Sequence, residues 1–97
     1  MDEIDEFILS GQWLYTASSN VQAWHYLAEQ QILEVEFLDN SVYQYYKVPF
    51  DVAKRFYLTD SPGRFVWNHL RDKYDYTQVM AGSGKRKGPQ VVRLVPD

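Results

Sequence analysis

Hydrophobic and polar positions alternate most clearly over residues 33–48, LEVEFLDNSVYQYYKV, where two strand-like runs flank Asp39-Asn40-Ser41. Leu33, Val35 and Phe37 oppose Glu34 and Glu36, the period-two signature of a half-buried strand over 32–38. Residues directly opposite each other in a hairpin share a face, so a three-residue loop at 39–41 pairs Leu38 with Val42, Phe37 with Tyr43 and Val35 with Tyr45. That register puts Tyr43 and Tyr45 on the apolar side and leaves Glu34, Glu36, Gln44 and Tyr46 on the other. Residues 21–27 also alternate, with Val21, Ala23, His25 and Leu27 against Gln22, Trp24 and Tyr26, and predict a central strand.

Helical spacing takes over on either side. Ile4, Phe7 and Ile8 recur as one stripe in MDEIDEFIL, whose acidic side chains favour a helix N-terminus, and Gly11 ends that helix. Trp13 to Tyr15 is read as a brief strand or a connection. Pro49 suits the first turn of a helix over 49–58, with Val52, Ala53 and Phe56 as its apolar stripe. Ser61-Pro62 is patterned as an N-cap followed by proline and opens a second helix to about residue 74. The predicted fold is α+β, a small antiparallel β-meander of three or more strands packed against two short α-helices. It divides into an acidic extension over 1–17, a folded unit over 18–79, and a basic segment over 80–97 whose residues 90–95 favour an edge strand.

Composition sets bounds on this picture. A chain of 97 residues with 45% hydrophobic content fills one compact core. Cysteine is absent, so neither a disulfide nor a thiolate metal site is expected. No apolar run approaches the ~20 residues needed to span a bilayer, and a cytoplasmic protein with no membrane attachment is expected. The net charge of −3 conceals an asymmetry: residues 1–39 carry eight acidic and no basic side chains, while all ten Lys and Arg follow. Attraction between the two halves within one fold accounts for this most simply; a basic face for phosphates is the functional alternative.

Candidate chemistry is sparse. His25 and His69 lack a recognisable nucleophile or metal-ligand spacing, so no catalytic residue, cofactor or metal is assigned and no enzymatic activity is expected. Arg64 stands at the Ser61-Pro62 helix start, and Arg71 and Lys73 follow it. Lys85-Arg86-Lys87 between glycines forms a cationic arm suited to phosphate backbones. Tyr43 and Tyr45 have two readings, a stacking platform for bases or core packing, and the hairpin register favours the core. Trp13, Trp24 and Trp67 are candidates to anchor a protein partner.

The run of short motifs Ser19-Asn20, Leu33 to Phe37, Tyr43-Gln44-Tyr45, Val48-Pro49, Ser61, Gly63-Arg64-Phe65, His69-Leu70-Arg71 and Lys73-Tyr74 resembles the KTSC family. That family is named for a small domain appended to the C-terminus of some lysyl-tRNA synthetases and is also found as single-domain bacterial proteins. Similar sequences tend to have Asn two places after the Gly-Arg-Phe triplet, where this chain has Trp67. The synthetase attachment implies RNA binding. Two functional expectations follow. One is a non-enzymatic RNA-binding module using Arg64, Arg71, Lys73, Lys85, Arg86 and Lys87 on backbone phosphates. The other is a protein-interaction or self-associating module, including a phage or mobile-element modulator of a host factor.

Overall fold

The computed structural model describes residues 2–82. It begins with helix α1 (Glu3–Leu9), which Asp2 caps by accepting a 2.8 Å hydrogen bond from the Asp5 amide, and which ends as Gly11 enters the left-handed region at φ 76°. Strands β1 (Leu14–Tyr15), β2 (Val21–Leu27), β3 (Ile32–Phe37) and β4 (Val42–Tyr45) follow. Next come helix α2 (Phe50–Leu58), helix α3 (Pro62–Phe65) continuing into a π-helical turn over Val66–Leu70, and strand β5 (Tyr76–Met80). The strands form one antiparallel sheet in chain order. Among the described residues no helix is long and apolar enough to cross a membrane.

The core lies between one face of the sheet and the helices. Val21, Trp24, Tyr26, Leu33, Val35 and Tyr45 meet Val52, Ala53 and Phe56 of α2 and Phe65, Val66 and Leu70 of the α3 segment. Trp24 packs on Phe56 with ring centroids 4.9 Å apart, and Phe56 on Phe65 at 5.3 Å. The Tyr26 hydroxyl donates to the Val48 carbonyl at 2.6 Å, giving a buried phenol its partner. Ile8 of α1 is buried in the same core, and Lys54 of α2 reaches Asp5 at 2.8 Å and Asp2 at 3.1 Å. The acidic start of the chain and its basic second half do meet at that point.

Four local expectations are corrected. The hairpin register is Leu33 with Tyr45, Val35 with Tyr43 and Glu36 with Val42, two residues from the expected pairing, with every face preserved. The reason lies in the turn. Phe37 and Ser41 close a loop of Leu38, Asp39 and Asn40; Asn40 takes the left-handed position at φ 74°, and Asp39 accepts from the Ser41 amide. In β2 a bulge between Val21 and Ala23 reverses the alternation, turning Trp24 and Tyr26 inward beside Val21. The helix expected over 62–74 ends sooner, since its last turn widens and the chain leaves at Leu70, and Pro49 sits at the N-cap of α2, one place before its first turn.

Strand β5 was not anticipated from the alternation pattern. All five of its residues are exposed, so nothing in its hydrophobic periodicity separated it from the segment that follows. The edge strand expected at 90–95 lies outside the described residues.

Candidate functional site

A cleft of about 320 Å³ opens where the β4–β5 end of the sheet faces the π-helical turn. Its sheet-side wall is aromatic: Tyr43 and Tyr45 project from alternate positions of β4, and Tyr76 of β5 packs against both, with ring centroids 5.8 and 5.5 Å away. Phe37 of β3 meets Tyr43 edge-on at 5.6 Å. The opposite wall is Gly63, Val66, Trp67 and Arg71, spacing that a helical segment brings to one side. The 2.8 Å bond from the Arg71 amide to the Val66 carbonyl is the wide π-type closure, and the Arg71 guanidinium lies 4.0 Å above the Trp67 ring, a cation–π pair.

The remaining side is polar. Asn20, Asp39 and Ser41 line it, and two turns hold them in place. Ser18 accepts from the amides of Asn20 and Val21, and the Asn20 carbonyl accepts from Leu38, tying the first turn to the hairpin. Asp39 accepts from both the amide and the hydroxyl of Ser41, at 3.0 and 2.6 Å. Exposure grades across the cleft: Trp67, Arg71 and Tyr76 form an open rim, whereas Ser41, Tyr45, Gly63 and Val66 are buried. Burial, followed by the neighbouring Tyr43 and Tyr76, pushes the Tyr45 phenol well above the ordinary tyrosine range, with Arg71 pulling the other way. Tyr45 is therefore neutral over the whole working pH range and acts as a flat polar-tipped wall.

The expected site residues separate on this framework. Tyr43 and Tyr45 lie on the helix-covered face, as the register argument required, and still border open space because the cleft runs between them and the helix. Arg71 and Trp67, assigned above to a phosphate and to a protein partner, are brought together on one rim. Lys73 lies beside Arg71 in a shallow depression shared with Asp72 and Asp75. Arg64 is exposed on α3 outside the cleft. Lys85, Arg86 and Lys87 lie outside the described residues.

Trp24 is corrected as a surface anchor: at 2% exposure it belongs to the core, a consequence of the β2 bulge. Trp13 stacks on His25 at 4.1 Å on the uncovered face of the sheet. There His25 bridges the Gly11 carbonyl (2.9 Å) and Glu34 (2.6 Å), Gln44 donates to Glu34 at 2.8 Å, and Tyr46 donates to Gln44 at 3.1 Å. This ladder follows the directly opposed positions of β2, β3 and β4 and ties the three strands together. His69 lies against Phe65 at 4.7 Å. Ser61 makes no side-chain capping bond.

Asp39, Ser41 and Tyr76 were not singled out from the sequence. The first two had a visible signal, since an Asp-Asn-Ser turn holds its own backbone and must therefore sit rigidly at the hairpin tip. Tyr76 had none, because its role depends on β5 pairing with β4.

Among the described residues a one-sided five-stranded antiparallel sheet, helices on its apolar face, and an aromatic cleft at one end define a small α+β domain. The chain belongs to the KTSC domain family, whose model matches residues 17–74. A KTSC domain protein from Yersinia pestis has a similar crystal structure, with TM-score 0.67 and 26% identity, covering 70% of this chain and 96% of that one. The chain is 31% identical over 61 residues to a lysine–tRNA ligase of Trichormus variabilis, a match spanning 63% of this chain and 11% of the ligase. It is 45% identical over 47 residues to an uncharacterised protein of Stutzerimonas stutzeri, spanning 48% of this chain and 66% of that protein. Asn20, Tyr43, Tyr45, Gly63 and Arg71, five residues from four motifs of the family resemblance, all line this cleft.

Proposed function

We propose that this domain is a non-enzymatic RNA-binding module that engages the sugar-phosphate backbone beside the aromatic cleft. The observation that carries this reading is the Arg71 guanidinium held 4.0 Å over Trp67 on the rim of a cleft walled by Tyr43, Tyr45 and Tyr76. A pre-positioned guanidinium is suited to phosphate oxygens, and neighbouring aromatic faces suit the unpaired segments that RNA-binding domains recognise. The similarity of this domain to a segment of a lysine–tRNA ligase supports the same reading. Arg64 and Lys73, together with Lys85, Arg86 and Lys87 in the sequence beyond the described residues, supply further cations.

The test is fluorescence anisotropy of labelled tRNA and a short single-stranded RNA at ~50 and ~200 mM salt, the range over which counterion release is diagnostic. Affinity is expected to fall steeply across that range and to weaken uniformly in Arg71→Ala, and a lack of binding to either RNA at low salt overturns the reading. A second reading, a protein-interaction module, is favoured by β5: it is one of the two edge strands of the sheet among the described residues, and its Val79 and Met80 are 46% and 57% exposed. Association that ignores ionic strength and is lost on charging Val79 or Met80 is its signature.

A further inference from the structure

We infer that the cleft receives a single unpaired nucleobase from the bound strand, an inference that rests on the RNA-binding reading and deepens it from backbone contact to base capture. Four features of the cleft converge on that ligand. Its volume of about 320 Å³ is at the lower end of the roughly 300–1,000 Å³ typical of small-ligand sites, room for one nucleoside and not for a helix. Aromatic side chains line it on both sides, Tyr43, Tyr45 and Tyr76 on the sheet and Trp67 on the helix, and give a flat base rings to stack against.

The charge distribution sets which end of a nucleotide enters. Asp39, Ser41 and Asn20 form the polar side, whose hydrogen-bonding groups suit the polar edge of a base. Arg71, the cation lining the cleft among the described residues, is on the exposed rim, where a phosphate attached to the captured nucleotide would lie. Finally, the rim pair is internal to the protein: Arg71 already covers Trp67, so the indole plane is held in one orientation before any base arrives.

The experiment compares a short single-stranded RNA with a strand of equal length and backbone charge made wholly of abasic ribose-phosphate units, both titrated into the full chain by anisotropy. Stacking one base on an aromatic side chain changes affinity by about fivefold or more. The base-bearing strand is expected to bind tighter by at least that factor, and Trp67→Ala, at a half-exposed position that the core does not need, is expected to narrow the difference while leaving the salt dependence unchanged. Equal affinity for the two strands, both salt-sensitive, overturns base capture and leaves backbone binding standing. Binding of neither strand overturns the RNA reading and this inference with it. A difference that persists undiminished in Trp67→Ala also overturns the assignment, since the base would then stack elsewhere.

Discussion

At the scale of single residues, two tyrosines show how one side chain serves the core and borders a site. Tyr26 and Tyr45 are 2% and 3% exposed, and burial is the main cause raising both phenol pKa values above the ordinary 10.0, with Asp51 adding to it for Tyr26. In the unfolded chain these phenols ionise near 10, but in the folded chain they ionise later. The unfolded form therefore binds fewer protons above that point, so stability is level up to about pH 10 and falls as pH rises further. Urea melts taken across pH 8 to 11 check the sign, and a decline beginning well below the ordinary tyrosine range contradicts it. Tyr26→Phe leaves the Val48 carbonyl without its 2.6 Å donor and is expected to lower stability by about 1–3 kcal/mol.

At the scale of elements, the hairpin and β2 show what was legible in the sequence and what was not. The alternation of Leu33, Val35, Tyr43 and Tyr45 was enough to place all four on one face, because a two-residue slip preserves faces. The exact register was not, because it depends on which residue of the turn adopts positive φ, and Asn40 rather than Ser41 closes that geometry. Asn40→Ala is expected to cost about 1 kcal/mol and Asn40→Gly less, measured by chemical denaturation, because glycine alone enters the left-handed region without strain. Trp24 went astray for a related reason: a bulge inserts one residue, leaves no mark in composition, and inverts every side chain after it. The π-helical turn is equally silent in sequence, yet it brings Trp67 and Arg71 onto the cleft rim.

At the scale of the whole molecule, the division of labour is clear. One face of the sheet is closed by α2 and the α3 segment, the uncovered face is crossed by the His25–Glu34–Gln44–Tyr46 ladder, and the motifs scattered from Asn20 to Arg71 converge only at the β4–β5 end. That convergence was invisible in the linear order, where Asn20, Tyr43 and Arg71 are remote from one another; it follows from antiparallel strands running in chain order with the helices returning over one end. A net charge of −3 is no bar to a nucleic-acid contact of this kind, since one rim cation and aromatic faces act locally while the acidic α1 is engaged with Lys54.

The central claim, that this domain binds RNA and does so at the cleft, is tested most directly by amide chemical-shift mapping of the full chain titrated with a short single-stranded RNA. The shifts are expected to cluster on Asn20, Ser41, Tyr43, Trp67, Arg71 and Tyr76. Shifts confined to the uncovered face around Trp13 and Tyr46, or no shifts at low salt, contradict it.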